Sequence, residues 1–211
     1  MTAAETRSER KTREILQAAS AVFLGKGYDG TSMDEIAATA GVSKQTVYKH
    51  FADKETLFRE VVLSTATQTN DVVESVTTLL ADAQSMEANL RQLARRIIAM
   101  LLNEELLRLR RLIIANADRM PELGRSWYRD GFERMMDTMA SCFERLTDRG
   151  LMRANDPHVA ASHFFGMLLW IPMNEAMFTG NSNPRSKADL DRHADACVEA
   201  FLATYGMKRD S

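Results

Sequence analysis

Residues Thr31–Phe51, TSMDEIAATAGVSKQTVYKHF, contain two short helical patterns separated by a single glycine. Ser32 and Glu35 have the spacing of a capping box, in which a hydroxyl and a carboxylate each satisfy a backbone N–H at the start of a helix. Gly41 can close that helix in a left-handed conformation, and Ser43 can cap the next one. A helix, a turn containing glycine and a second helix predict a helix-turn-helix unit.

The second helix of this unit, residues 44–50, is polar or amphipathic except for Val47 and contains no acidic residue. Lys and Gln side chains can reach the edges of guanine and adenine, and Thr can contact the thymine methyl group. This composition favours insertion into the major groove of DNA. The alternative is a solvated helix in a small helical bundle, because short motifs of this kind also occur without the function.

We predict two kinds of DNA contact in this region. The side chains predicted to read bases are Lys44, Gln45, Thr46 and Tyr48. Those assigned to phosphates, which position a protein without reading sequence, are Thr31, Ser43, Lys49, His50 and Lys54, and Ser32 completes the predicted DNA-binding set. Lys54 lies in the first turn of the following helix, where a cation opposes the helix macrodipole. A phosphate between Lys54 and the free N–H groups would remove that conflict.

The run from Arg10 to Val61 resembles the DNA-binding domain of TetR-family transcriptional regulators. The matching stretches are ILQAASAVFLGKGYDGTSMDEIAATAGVSKQTVYKHF and DKETLF. The resemblance implies a small N-terminal DNA-binding domain, a larger all-helical regulatory domain, and contact of Lys54 with the DNA backbone. Gln45 stands where many relatives carry glycine, so the operator sequence cannot be taken from them. Two later stretches, LRRLIIANADRMPELGRSWYRDG and RGLMRANDPHVAASHFFGML, resemble the C-terminal domains of a TetR subgroup related to multidrug and solvent-efflux regulators.

The rest of the chain shows helical apolar periodicity without sustained alternation, which predicts an all-α fold. The first helix is predicted from Lys11 to the glycines at 25–27, and later ones over 86–102, 105–120, 121–148, 156–178 and 187–205. We predict a flexible arm over residues 1–9 and a three-helix DNA-binding domain with the helix-turn-helix over residues 10–69. A C-terminal helical-bundle domain for ligand binding and dimerisation is predicted over residues 70–211.

The charge balance of the chain limits how it can bind DNA. The net charge is −2 over 211 residues, with 8 Lys+Arg and 7 Asp+Glu in residues 1–54 and 19 against 22 in the remainder. DNA binding must therefore rest on the local placement of a few cations. No signal peptide or apolar run of membrane-spanning length is present, so we predict a cytoplasmic protein without membrane contact.

Motifs for catalysis or metal binding are missing from the sequence. It contains no phosphate-binding glycine loop, no H-E-x-x-H and no G-x-S-x-G. Cys142 and Cys197 lack zinc-type spacing, and a buried, reduced thiol is the default for both. His163 lies five residues from His158 and is expected in the core. We predict no catalytic site, no metal and no cofactor.

Methionines and aromatic residues are frequent in the second predicted domain, and the chain has 13 Met. Unbranched thioethers adapt to irregular shapes, so such a cluster suits a pocket for a small hydrophobic effector, although an ordinary core gives the same pattern. The residues predicted to line this pocket are Trp127, Tyr128, Phe132, Met136, Phe165, Leu169 and Trp170.

The last two predicted helices each carry an apolar side, and the resemblance implies that they pair with a second copy to form a homodimer. Periodicity alone does not separate dimer contact from core. These features together predict a transcriptional repressor that binds a pseudo-palindromic DNA operator and is released by the effector. One alternative is an effector-binding helical protein of the same fold with weak or lost operator binding. Another is a helical-bundle enzyme using Cys142 or His163, for which the sequence offers no nucleophile–base spacing.

Overall fold

The computed structural model describes residues 6–78, 86–180 and 185–207. Regular structure in these ranges is helical, apart from an isolated antiparallel bridge between Met152 and Gly206, and the all-α prediction is confirmed. The helices are α1 (Arg7–Lys26), α2 (Met33–Thr39), α3 (Lys44–His50), α4 (Lys54–Thr78), α5 (Met86–Leu101), α6 (Glu104–Ala115), α7 (Pro121–Trp127), α8 (Arg134–Asp148), α9 (Pro157–Phe178) and α10 (Lys187–Tyr205). A π-helical segment, Tyr128–Glu133, joins α7 to α8.

Helix α1 begins at Arg7, four residues before the predicted start at Lys11. The hydroxyl of Thr6 accepts the Glu9 N–H at 3.2 Å, and the Glu9 carboxylate accepts the Thr6 N–H at 2.7 Å. This capping box satisfies two backbone donors and holds the pKa of Glu9 below its ordinary value. The prediction of a flexible arm over residues 1–9 is therefore wrong for residues 6–9, and residues 1–5 lie outside the described part.

The chain forms two compact units, of which the first comprises Met1–Ala66 and Arg108–Trp127. Its core contains the rings of Phe23, Tyr28 and Phe58: the first two stack, and Phe58 lies tilted against both, with the centroids of Phe23 and Phe58 4.8 Å apart. Residues from α6, α7 and the turn between them join the same core: Leu109, Ile113, Met120 and Leu123. The predicted domain boundary after residue 69 stays a prediction, and it did not anticipate that residues 108–127 belong with the N-terminal unit.

The second unit comprises Thr67–Leu107 and Tyr128–Ser211. Phe143 of α8, Phe164 of α9 and Phe201 of α10 meet at its centre, with ring centroids between 5.0 and 5.8 Å apart. Helix α5 presents one continuous buried face to this core, as its periodicity predicts. Arg95 of α5 donates from Nε to the Asp195 carboxylate of α10 at 2.9 Å, which ties the outer edges of these helices.

The middle of the chain departs from the predicted helices. Helix α6 ends at Ala115, before the predicted end at residue 120, because the Asn116 N–H bonds the Ile113 carbonyl and the chain turns. The helix predicted over residues 121–148 contains the π-helical segment, whose wider turn accommodates one additional residue. The helices predicted over 156–178 and 187–205 are confirmed as α9 and α10 to within one residue.

Candidate nucleic-acid interface

Helices α2 and α3 are positioned by the capping residues that the sequence indicates. Ser32 Oγ accepts the Glu35 N–H at 3.2 Å, and Ser43 Oγ accepts the Thr46 N–H at 3.1 Å. Gly41 has a φ of +63°, in the left-handed region that a side chain would strain. The predicted helix-turn-helix is confirmed in both its helices and its turn.

Helix α3 is anchored on one side and open on the other. Val47 is 0% exposed and belongs to the core of the first unit. We define the α3 polar face as Lys44, Gln45, Tyr48 and Lys49, all of which are exposed. Tyr48 is 45% exposed although it is aromatic. The protein therefore keeps the side chains predicted to read bases in solvent, except for Thr46, which is half-buried.

Lys44 has a partner on the neighbouring helix. Its ammonium lies 2.7 Å from the Asp34 carboxylate of α2 and 5.9 Å from the Tyr48 ring centroid. The hydrogen bond to Asp34 raises the pKa of Lys44. Both side chains of the pair are more than half exposed, so the pair is weak and can open when a phosphate or a base approaches.

Three further predicted contact residues take part in local hydrogen bonds. The hydroxyls of Ser43 and Thr46 lie 2.8 Å apart, and His50 Nδ1 lies 3.0 Å from the Thr12 hydroxyl of α1. These bonds fix the N-terminal and C-terminal ends of α3. Their assignment to DNA stays a prediction, together with that of Ser32, which is exposed at the start of α2.

The structure disagrees with the phosphate contacts assigned to Thr31 and Lys54. Thr31 is 3% exposed, and its hydroxyl donates to the Gly27 carbonyl at 2.7 Å. The Lys54 ammonium donates to the carbonyls of Tyr28 and Thr31, at 2.9 Å each, and lies 4.5 Å from the Tyr28 ring centroid. The two carbonyl groups and the Tyr28 ring stabilise the Lys54 ammonium and offset its unfavourable interaction with the helix macrodipole. No phosphate is therefore needed to explain its position.

Arg119 is a second cation beside the Tyr28 ring, in addition to Lys54, and the sequence analysis did not identify it. The Arg119 guanidinium lies 5.1 Å from the ring centroid of Tyr28 and 2.6 Å from the Asp29 carboxylate, which raises the pKa of Arg119. We call Tyr28, Asp29, Lys54 and Arg119 the Tyr28 brace. No local pattern links residues 29 and 119, because the fold alone brings them together.

Two family models match the chain. Residues 15–61 match the model of bacterial regulatory proteins of the tetR family. Residues 88–207, more than half of the chain, match the AefR-like transcriptional repressor C-terminal domain. The chain belongs to the TetR family of transcriptional regulators. This is a family of transcription regulators.

Solved structures extend the similarity over nearly the whole length of this TetR-family regulator. A TetR-family transcriptional regulator from Mesorhizobium loti is 73% identical, with a TM-score of 0.93, and the match covers 96% of this chain and 100% of that one. The flavonoid-responsive regulator FrrA is 26% identical with a TM-score of 0.70, covering 95% of this chain and 99% of FrrA.

The curated relatives match this chain over short stretches. The transcriptional activator FasR of Mycolicibacterium smegmatis is 48% identical over 56 residues, which cover 26% of this chain and 25% of FasR. The negative regulator IcaR of Staphylococcus epidermidis is 37% identical over 49 residues, 23% of this chain and 26% of IcaR. This TetR-family chain thus matches about a quarter of the length of these relatives, and they include both an activator and a repressor.

The residues predicted for an effector pocket of the TetR-family regulator belong to both compact units, and their assignment to a pocket stays a prediction. Trp127 packs against the core of the first unit, whereas the other six belong to the second unit. Tyr128 and Phe132 are exposed and stack on each other, and Trp170 is 69% exposed. Phe165 is buried, and Met136 and Leu169 are half-buried. Apolar periodicity marked these residues, but it does not distinguish an exposed face from a pocket.

A cavity of about 560 Å³ lies elsewhere in the second unit, between the C-terminal half of α5 and the start of α10. Its floor is apolar and includes Ile98, Leu102 and Leu190, and charged side chains such as Arg96 and Asp191 stand around its mouth. None of the seven residues predicted to line an effector pocket lines this cavity.

The structure also gives the surroundings of His163 and of the two cysteines. His163 is exposed and its Nδ1 lies 2.6 Å from the Tyr205 hydroxyl, so the prediction of a core histidine is wrong. Cys142 and Cys197 are buried, and burial raises the pKa of both thiols. The described ranges contain no cluster of three or more metal-ligating side chains and no helix suited to crossing a membrane.

Proposed function

We propose that this regulator binds a pseudo-palindromic DNA operator as a homodimer, represses transcription, and is released by a small apolar effector. The two α3 helices of the dimer would enter two successive major grooves, which lie about one helical turn apart on the same side of the duplex. A cytoplasmic location follows from this role, since the operator lies on the chromosome.

The α3 polar face is the observation that supports operator binding. A structural helix of a bundle would turn polar residues of both signs to solvent, whereas this face carries two lysines, a glutamine and a tyrosine. Val47 fixes the orientation of the helix, so the polar face is presented by a rigid element. Repression is supported by the match of residues 88–207 to the C-terminal domain of an AefR-like repressor.

Selection of DNA sequences by the purified protein tests this function. We expect a pool of random duplexes to yield an inverted repeat whose half-sites are about one helical turn apart. Failure to enrich any repeat would contradict operator binding and favour the alternative, a helical protein of this fold that has lost its operator. The activator FasR shows that the direction of regulation needs a separate transcription assay.

An exposed apolar face on α9 supports the homodimer. We define the α9 apolar face as Val159, Met167, Trp170, Ile171 and Phe178, all exposed and spaced along one side of the helix. Trp170 is 69% and Phe178 86% exposed. Large apolar patches on a soluble protein mark interaction surfaces, and pairing of α9 and α10 with a second copy would cover this one.

Replacing Trp170 by Asp is expected to weaken dimerisation by about a thousandfold, because a tryptophan that anchors an interface contributes about 2 kcal/mol and occurs once in each copy. Analytical ultracentrifugation over a concentration series measures the change. Ile114→Asp is the matched control, since Ile114 is 60% exposed in the first unit and should leave the dimer intact. A Trp170→Asp protein as dimeric as the wild type would contradict the use of α9.

Replacing Asp34 by Asn is expected to raise operator affinity by about threefold, since it frees Lys44 from an exposed pair worth less than about 1 kcal/mol and removes a charge that repels phosphate. The dependence of the dissociation constant on salt should steepen as well. Fluorescence anisotropy with the selected operator measures both quantities. Weaker binding by Asp34→Asn would instead show that the pair with Asp34 orients Lys44 for DNA.

The proposal of a small apolar effector is supported by a similar protein and not by an assigned pocket. FrrA is named as responsive to flavonoids, which are aromatic small molecules, and it resembles this chain over nearly its whole length. An effector acts by binding better to a conformation in which the two α3 helices no longer match the groove spacing.

A further inference from the structure

Pro172 leaves a gap in the hydrogen bonding of α9, within the second unit. It lies inside the helix and is buried. A proline nitrogen carries no hydrogen, so the Leu168 carbonyl, four residues earlier, receives no bond from α9 itself, and the proline ring crowds this carbonyl. Leu168 is 0% exposed, so water does not supply the missing donor. A buried carbonyl group without a donor destabilises a fold.

Helix α10 supplies hydrogen-bond donors at this gap. His193 Nε2 lies 3.1 Å from the Leu168 carbonyl oxygen, and Cys197 Sγ donates to the Met167 carbonyl at 3.2 Å. Because a carbonyl oxygen only accepts, His193 donates from a protonated Nε2. His193 and Cys197 are four residues apart and therefore share one face of α10. Two side chains of α10 thus bond the stretch of α9 that Pro172 disrupts.

The two halves of α9 are anchored unequally. The half before Pro172 buries five residues: Ala160, Ala161, Phe164, Phe165 and Leu168. Beyond Pro172 the small side chain of Ala176 is buried, and the Glu175 carboxylate accepts from Arg185 Nε at 2.5 Å. A helix bends most easily where proline removes a hydrogen bond, so the direction of the second half depends on contacts made at the gap. His193 and Cys197 make such contacts.

We propose that His193 and Cys197 are positioning residues for the α9 apolar face. Trp170 of this face stands at the gap, and Phe178 lies beyond it. By holding the two carbonyl groups, α10 fixes the direction of the second half of α9 and with it the place of Phe178 relative to Trp170. A face that is rigid before binding loses less entropy when a second copy docks. The role in dimerisation rests on the proposed function, whereas the compensation for Pro172 does not.

Substitutions at residues 193 and 172, alone and combined in the full-length protein, test the compensation. His193→Leu leaves the Leu168 carbonyl without a donor and is expected to lower the Tm by about 4 °C. His193→Gln should recover most of this loss, because its amide can donate from a similar position. Pro172→Ala restores the backbone N–H, so in that background His193→Leu should lower the Tm by less than about 1 °C. No loss in the wild-type background, or an equal loss in both backgrounds, would overturn the compensation.

The thiol of Cys197 is tested by a matched pair of variants. Cys197→Ser keeps a donor for the Met167 carbonyl, and Cys197→Ala removes it. We expect Cys197→Ser to melt about 2 °C above Cys197→Ala, since the thiol is a weaker donor than the imidazole N–H. A Cys197→Ser protein that melts at or below the Tm of Cys197→Ala would overturn the role of this side chain.

The dimer dissociation constant separates positioning from stability alone. It is measured by analytical ultracentrifugation at 20 °C on variants whose circular dichroism shows them folded. His193→Leu is expected to weaken dimerisation by about tenfold, and His193→Gln should associate like the wild type. A lowered Tm with an unchanged dissociation constant would overturn the positioning role. If the wild type stays monomeric at every concentration, the proposed homodimer fails, and the comparison of the two backgrounds still decides the compensation.

Discussion

Replacing Gln45 and Tyr48 together by alanine is expected to lower operator affinity by about a thousandfold. Both side chains are exposed on the α3 polar face, where their loss disturbs no packing. A good base contact contributes about 1–3 kcal/mol of discrimination, and a dimer makes each contact twice. Anisotropy titrations with the selected operator measure the loss. Binding to unrelated duplexes should change far less, because phosphate contacts carry that component.

Stability controls separate this loss from unfolding. Surface substitutions usually change the free energy of unfolding by less than about 0.5 kcal/mol, so the Gln45 and Tyr48 variant should melt like the wild type. Gln92→Ala, at an exposed position in the second unit, should leave operator affinity unchanged. Unchanged affinity in the double variant would mean that α3 does not read the operator.

Replacing Lys54 by Met is expected to lower the stability of the protein by about 2 kcal/mol, which corresponds to a fall in Tm of about 6 °C. The substitution removes two charge-assisted hydrogen bonds, to the carbonyls of Tyr28 and Thr31, and the contact with the Tyr28 ring. The salt dependence of operator binding should not change, since Lys54 neutralises no phosphate in this account. Thermal unfolding and anisotropy at several salt concentrations measure the two effects.

Lys49→Met is the matched control for Lys54→Met, because Lys49 is exposed on α3. It should leave the Tm unchanged and lower the salt slope by about one per protomer, as expected for one lost phosphate contact. A stable Lys54→Met protein with a reduced salt slope would restore the phosphate role that the sequence suggested. Such a result would require the Tyr28 brace to open on DNA.

The local features of the fold were predictable from the sequence. Ser32, Gly41 and Ser43 determine caps and a turn through interactions within a few residues, and the structure reproduces them. Val47 faces the core, as a single apolar residue in an otherwise polar helix indicates. The capping box at Thr6 and Glu9 carries an equally local signal, which the charged composition of the first nine residues obscured.

Features that depend on distant contacts were not predictable. Lys54 was assigned to a phosphate because its carbonyl partners belong to a loop 23 to 26 residues earlier in the chain. Thr31 looked like an exposed hydroxyl before a helix, yet the chain folds back and buries it. The place of residues 108–127 in the first unit, and the exposure of Trp170, follow from tertiary packing, which apolar periodicity does not specify.

Cleavage of DNA from a tethered iron chelate tests the placement of α3 most directly. The chelate is attached to Cys in a Gln45→Cys variant, and the native thiols label slowly because Cys142 and Cys197 are buried with raised pKa values. We predict two clusters of strand cleavage on the selected operator, one in each of two major grooves about 34 Å apart. Cleavage no greater than that by unlabelled protein, on an operator that the labelled variant still binds, would show that α3 does not lie in the groove.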